Sequence, residues 1–321
     1  MRPADISEAD LRAWCLRRLG SEPRAELFCT SHLSRVTGLR LADGRDVVVK
    51  IRPAQARLSA CAAVHQHMWR AGFPCPRPLA GPVPFEIPGA ASEYAASAET
   101  LLTGGAPFPP AADGADTARA TAFAALLARF IELAPDPAAV SSLHPTPAWM
   151  NWHHGSPGVW PPPDDRDDDL NAHPETAWLD ELGRAVRERL AAAKPAPPVI
   201  GHCDWESHNL DFRDAAPRAV HDWDSVVAEP ETVVVGVAAA MWPAGAGSAG
   251  ATIGQTTSFL DAYQRARGRG FTPDEAGQTW AAGLWIRTFN AKKYLLDGFE
   301  TLTPAEAAER ARRAGLQAVS P

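Results

Sequence analysis

The sequence predicts a two-lobed α+β protein, with a small lobe over residues 1–100 and a larger, mainly helical lobe over 101–321. Three observations predict it. Residues 25–31, 34–41 and 46–52 read as strands, with Asp43-Gly44 as the turn between the last two. Gly72, Pro74, Pro76 and Pro78 break the pattern that follows, and Gly104-Gly105 closes the first lobe. Beyond those glycines the periodicity is that of helices.

Each element has a local reason. Ser7, with Asp10 three residues on, starts a helix whose Leu11, Cys15 and Leu19 share a face, and Gly20 stops it. The run Val47-Val48-Val49-Lys50-Ile51 is a buried-type strand carrying one lysine. A helix over 54–71 follows, then an extended path through the prolines and a strand over 97–102. In the second lobe, 117–134 and 174–193 read as helices, the latter with Trp178, Leu179, Leu182, Val186 and Leu190 on one side. Thr272-Pro-Asp-Glu275 and Thr303-Pro-Ala-Glu306 each place threonine at a cap, proline at the first helical position and glutamate at the third. Between the first two helices of this lobe, a Trp- and Pro-rich stretch, 145–163, runs into the acidic segment 164–169, read as a solvated loop.

Composition narrows the function. The 321 residues are 45% apolar and 21% charged, with a net charge of −7, which suits a soluble globular chain and not a nucleic-acid binder. The five cysteines form no C-x-x-C pair and read as reduced thiols. The N-terminal residues lack the apolar stretch of a signal peptide, and the longest apolar run, Val233 to Trp242, is too short to span a bilayer. Together these give the expectation of a cytoplasmic protein that acts on a small molecule, with no membrane or nucleic-acid partner.

The chemistry concentrates in residues 202–224. A short apolar strand, Val199-Ile200, leads into His202-Cys-Asp204-Trp-Glu206-Ser-His-Asn209, and a second strand, 219–221, leads into Asp222-Trp-Asp224. Phosphoryl transfer needs an oriented acceptor hydroxyl, a carboxylate to take its proton, and metal ions on the phosphates. Asp204 offers the carboxylate. Asn209 and Asp222 offer the oxygen ligands that Mg²⁺ favours, and Lys50 can reach the phosphates. A zinc site from His202, Cys203, Asp204 and His208 is disfavoured, because so short a loop cannot converge four ligands on one tetrahedral ion. No G-x-S-x-G or G-x-x-x-x-G-K-[ST] segment is present, so serine-hydrolase and P-loop chemistry lack support.

Val49-Lys50 after a glycine turn, Gly72-Phe-Pro-Cys-Pro76, the H-x-D-x-x-x-x-N loop and Asp222-Trp-Asp224 resemble the aminoglycoside phosphotransferase family, small-molecule kinases with a protein-kinase-like fold that also includes choline kinases. The resemblance implies Asp204 as catalytic base and Asn209, Asp222 and Asp224 at the metal. It implies Lys50 on phosphate, and Ser31 and Ser34 in a phosphate-covering turn. Glu99, Thr100 and Leu101 fall on the linker that presents backbone groups to the base. It implies Mg²⁺ and ATP, or GTP, as donor. His202 is expected to hold the loop by bonding to backbone.

Two departures stand out. The family's helix glutamate, the usual partner of the lysine, is absent from 54–71, where Cys61 takes its place; Glu86, Glu93 or the nucleotide alone is left to pair with Lys50. The phosphate-covering turn has no glycine. They leave open an alternative, a nucleotide-binding relative with a scaffolding role. For the acceptor, Glu206, Trp160, Trp242 and Trp285 are the candidate contacts, the tryptophans equally readable as core. Glu206, Asp224 and the acidic segment favour a cationic acceptor such as an amino sugar or an aminoglycoside-like antibiotic.

Overall fold

The computed structural model describes residues 6–87, 89, 92–109, 116–245 and 249–316. Helix α1 (Glu8–Leu19) begins where the Ser7 hydroxyl accepts the Asp10 N–H and ends at Gly20 in the left-handed region, φ 73°. Strands β1 (Pro23–Ser31), β2 (Arg35–Leu41) and β3 (Asp46–Pro53) form a meander. Helix α2 (Leu58–Arg70) and strands β4 (Pro78–Phe85) and β5 (Tyr94–Thr100) complete a five-stranded antiparallel sheet of order β1-β2-β3-β5-β4.

Alternation along β3 decides where the site can form. Val47, Val49 and Ile51 are buried with Leu11, Trp14 and Cys15 of α1. Val48, Lys50 and Arg52 therefore face the other way, into a cleft. Strand β5 obeys the same parity, with Ala96 and Ala98 in the core and Ser97 and Glu99 on the cleft side, opposite Lys50 and Val48.

Local expectations shift in three places. Helix α2 starts at Leu58, not at 54, because the Ala54 N–H is donated to Glu93 O at 2.8 Å and keeps that residue beside the sheet. Strand β4 runs through Pro78, Pro82 and Pro84, which an edge strand tolerates because one side of its ladder is empty. Strand β5 spans Tyr94–Thr100, not 97–102.

The second lobe contains β6 (Ala106–Pro107), α3 (Thr117–Leu133), α4 (Ala177–Ala191), β7 (Pro198–His202), β8 (Leu210–Arg213), β9 (Ala216–Val220), β10 (Val226–Pro230), α5 (Glu231–Met241), α6 (Ile253–Arg267), α7 (Pro273–Leu296) and α8 (Pro304–Arg313). The apolar run is α5, buried all round and packed against α7. The two helices approach so closely at Gly236 that an added Cβ would lie 2.1 Å from Thr279 O. Thr272 closes a full capping box on α7. At α8 the Thr303 hydroxyl accepts the Glu306 N–H, while the Glu306 carboxylate turns to Arg310 instead.

Two short pairings set the two functional loops side by side. β7 pairs with β10, and β8 pairs with β9. Residues 203–209 lie between β7 and β8, and Asp222–Ser225 lies between β9 and β10. Helix α2 packs across the lobes, since Ala60, Cys61, Val64 and Met68 share the large lobe's core. Among the described residues no helix is long and apolar enough to cross a membrane, and the five cysteines are unpaired.

Candidate active site

Hydrogen bonds stitch the loops together before any ligand is considered. The fully buried His202 donates from Nε2 to His221 O at 2.9 Å and accepts the Asp204 N–H on Nδ1 at 3.3 Å, the backbone-holding role expected of it. The Cys203 N–H goes to Ser225 O and the His221 N–H to Asn209 O, each at 2.9 Å. Trp205 is fully buried beside Asp204 in sequence and donates to Phe123 O at 3.2 Å, which pins the loop's middle to α3.

These constraints fix the polar side chains. Asn209 donates from Nδ2 to Asp204 Oδ2 at 2.7 Å and to Asp204 O at 3.0 Å, which leaves its own Oδ1 available. Asp222 sits in the left-handed region, φ 61°, a strained setting for a non-glycine residue, and accepts the Ser225 hydroxyl at 2.6 Å. Lys50 reaches across the cleft to bond Asp222 Oδ1, and Asp224 Oδ1 at 2.5 Å. Lys50 thus pairs with neither Glu86 nor Glu93, and the structure gives it two counter-ions from the large lobe. Arg52, on the same face of β3, places Nε 3.5 Å from Asp224 Oδ2.

Burial and charge divide the carboxylates into two kinds. Burial alone would raise Asp222, but Lys50 beside it and the bonds from Lys50 and Ser225 hold it well below the usual range. Burial would lower Lys50, and Asp222 with Asp224 more than offsets that, so the ammonium is favoured. Burial, with the Asp222 charge adding, pushes Asp204 up to about 6. Burial and the neighbouring Asp204 push Glu206 up as well. Asp222 is thus an anion suited to a cation, and Asp204 is a carboxylate poised to take a proton.

The donors suit Mg²⁺: two carboxylates and an amide oxygen are hard oxygen ligands, and the point between Asp222 and Asp224 already holds a cation, the Lys50 ammonium. Asp204, Glu206 and His208 also bring ligand atoms within 4.8 Å of one another, with His208 Nδ1 3.5 Å from Glu206 Oε2.

The place of the missing helix glutamate is taken by other chemistry. Cys61 Sγ lies 3.9 Å from Asp224 O. Arg57, just before α2 and only 3% exposed, donates to Leu143 O at 3.1 Å, to Asp224 O at 2.6 Å and to Val226 O. It ties the start of α2 to the Asp222–Val226 segment through backbone carbonyls.

The cleft has two arms that share Lys50, Arg52, His208, Asn209, Asp222 and Asp224. One, about 440 Å³, runs under the sheet past Val36, Val48, Glu99, Leu101 and Leu102. The other, about 530 Å³, runs past Ser34, Trp149 and Asp164, and only this arm is lined by Asp204.

Sequence candidates distribute unevenly over these arms. Ser34 lines the second, whereas Ser31 pairs with Arg35 at the hairpin end and lines neither. Glu99 and Leu101 line the first. Glu99 does so from within β5, by its side-chain face. Thr100 lines neither, and its N–H goes to Arg77 O; that of Leu101 goes to Asp46 O. Trp160, Trp242 and Trp285 are core residues, each at most 1% exposed, with no surface for an acceptor. The tryptophan lining the second arm is Trp149, whose carbonyl accepts the Trp285 indole N–H at 2.8 Å. Nor is 164–169 a free loop: Asp165 pairs with Lys293, Arg166 with Asp297 and Asp168 with His173. Asp164 alone of these lines the cleft. Arg52 and Arg57 are not singled out by the sequence, and only Arg52, two residues from Lys50 on the same strand face, carries a signal that could have found it; Trp149 and Asp164 lie within the Trp-rich and acidic stretches that the sequence marks, undistinguished there from their neighbours.

A kinase-like fold whose small-lobe Lys50 faces Asp204, Asp222 and Asp224 across one cleft is the frame of a small-molecule phosphotransferase. The chain belongs to the phosphotransferase enzyme family, whose model matches residues 31–281. A search of curated proteins found no match. Solved structures share the fold over nearly the whole chain. An amicoumacin kinase in complex with AMP-PNP and Ca²⁺ has a TM-score of 0.61 at 11% identity, covering 98% of this chain and 97% of that one. A spectinomycin phosphotransferase in complex with ADP and its antibiotic gives 0.55 at 10% identity, covering 96% and 94%. A choline/ethanolamine kinase family protein from Mesorhizobium loti gives 0.53 at 16% identity, covering 96% and 92%.

Proposed function

We propose that the chain transfers the γ-phosphate of ATP, with Mg²⁺, to a hydroxyl of a small cationic acceptor such as an amino sugar or an amine-bearing antibiotic. The observation that carries this reading is the two-armed cleft. The arm under the sheet suits a nucleotide, and the arm holding Asp204 suits an acceptor, and they meet at Lys50, Asn209, Asp222 and Asp224.

Each residue then has a task. Lys50 and Arg52 hold the phosphate oxygens. Asn209 Oδ1, Asp222 and Asp224 would hold Mg²⁺, which would offset the charge of the phosphates. Asp204 orients the acceptor hydroxyl and takes its proton as the new O–P bond forms and ADP leaves with the electrons of the old one. Its raised pKa, about 6, places a base near working pH. Activity limited by Asp204 therefore falls as the medium is acidified below that value. Glu206 beside Asp204 and Asp164 on the same arm are carboxyls that burial pushes up, so an ammonium group on the acceptor would favour their charged forms and be held by them. The relatives named above that act on spectinomycin and amicoumacin are in keeping with such a substrate.

The test is an ADP-release assay over a panel of hydroxylated amines, run on the wild type and on Asp204→Asn. The variant should keep its affinity for Mg·ATP and lose about 10²–10⁴-fold in turnover. A variant that turns over like the wild type refutes the assignment. The scaffolding alternative drew on the missing helix glutamate; the Arg57 bridge supports the catalytic reading by fixing α2 another way, and the turnover assay separates the two.

A further inference from the structure

The first arm holds a group that phosphoryl transfer does not require. Glu99 lies on the cleft face of β5, opposite Val48, and its carboxylate accepts no hydrogen bond from any described residue. The nearest basic atom is His65 Nδ1, 4.0 Å from Oε2. His65 cannot serve as a counter-ion. Burial lowers its pKa to about 3, its ring is stacked on Trp223, and Nε2 donates to Pro76 O at 2.9 Å. Nδ1 is then a lone pair, and at 4.0 Å it leaves both Glu99 oxygens without a hydrogen bond from any described residue. With about 24% of its side chain open to the cleft, and His221 the charge that most offsets its burial, Glu99 keeps carboxyl oxygens free to meet a ligand there.

Its position along the sheet says which part of a ligand that is. Lys50 stands opposite Ser97 and Val48 opposite Glu99, so Glu99 is one same-face step, about 7 Å, from the lysine's rung. That step leads toward Leu101 and Leu102, away from the acceptor arm. With phosphates at Lys50, the atoms that reach Glu99 belong to the base. Adenine and guanine differ there in kind: the exocyclic amine of adenine donates, and the exocyclic oxygen of guanine only accepts.

Resting on the donor reading above, we propose that Glu99 reads the nucleobase, its carboxyl accepting a hydrogen bond from the exocyclic amine of adenine and so selecting ATP over GTP. Guanine would set its oxygen against the carboxyl oxygen.

Calorimetry on the full chain with Mg²⁺ and ATP, GTP or purine riboside triphosphate, which carries hydrogen in place of the amine, decides it. The wild type should bind ATP about tenfold more tightly than either analogue, the worth of one such bond. In Glu99→Ala the three affinities should converge. In Glu99→Gln the amide can turn its N–H toward guanine, so the gap between ATP and GTP should narrow while the preference over purine riboside triphosphate persists. Equal binding of ATP and purine riboside triphosphate by the wild type overturns the proposal, as does a gap that survives in Glu99→Ala. The wild-type comparison needs no variant, so it decides the matter even where a mutant folds poorly. Nucleotide binding without discrimination sinks the role of Glu99 alone, whereas no binding of any nucleotide sinks the donor reading with it.

Discussion

Arg57→Met is the sharpest perturbation the structure offers outside the catalytic loops. Arg57 stands just before α2, where the helix dipole disfavours a cation, and it caps nothing there. Its worth must come from the carbonyls of Leu143, Asp224 and Val226. Methionine keeps the apolar stem and removes all three bonds. Each stranded carbonyl costs about 1 kcal/mol or more, so the loss of stability should be about 3 kcal/mol, partly relieved because a buried guanidinium no longer has to be desolvated. The effect should also reach turnover. Asp224 and Val226 flank Ser225, whose hydroxyl holds Asp222, and a displacement of about 1 Å in such a group can reduce turnover by about 10²-fold. Arg57→Lys, with one compact ammonium in place of a fork, should fall between. Urea unfolding and steady-state turnover read the two effects separately. A variant that unfolds at the wild-type midpoint refutes the energetic argument. One that is destabilised yet turns over normally refutes the positioning role.

Three further outcomes are expected. Asp222→Ala should weaken Mg·ATP binding more than Asn209→Ala does, because it removes an anion and not a dipole; equal affinities by calorimetry would contradict this. Glu206→Gln and Asp164→Asn should each raise KM for a cationic acceptor with less effect on kcat, and the wild-type KM should rise with ionic strength; a salt-independent KM would count against a charged acceptor. Glu229, 6% exposed, is pushed up to about 7 by burial, so the folded state keeps a proton that the unfolded chain releases near the ordinary glutamate value. Its contribution is whole below that ordinary value and is lost as pH rises through about 7. The advantage of Glu229→Gln in unfolding free energy should therefore grow by about 2 kcal/mol between roughly pH 5.5 and pH 8, and a pH-independent difference would show that the carboxyl is not buried as a neutral acid.

What the sequence made legible was local. The Ser7 and Thr272 caps, the β2–β3 turn and the alternation of Val47 to Ile51 are all decided by neighbours within a few residues, and the structure repeats them. The polar pattern of 202–224 is similarly local, because two short strand pairs hold both loops. Strand β5 was harder, since its alanines favour helix in isolation and only pairing on both sides overrides them. The tryptophans show a different limit. Helical spacing can say that Trp285 shares a face with Phe289, but not whether that face looks into the core or the cleft. Arg57 meets its partners more than eighty residues away, and no pattern in its own surroundings announces them. Asp164 differs from its five neighbours only in what the fold happens to set opposite it.

The Lys50 bridge has a consequence for the order in which the site fills. In this structure the ammonium stands between Asp222 and Asp224, where it quenches the repulsion of two close carboxylates. On the proposed metal site, a free divalent ion arriving alone would have to evict it and leave the lysine without its two counter-ions. A polyphosphate gives the ammonium somewhere to go, so the same move that releases the carboxylates also anchors the incoming anion. Cation and nucleotide should therefore load as a unit, each raising the other's affinity by the same factor. Between turnovers the lysine acts as a placeholder that keeps an otherwise self-repelling centre assembled.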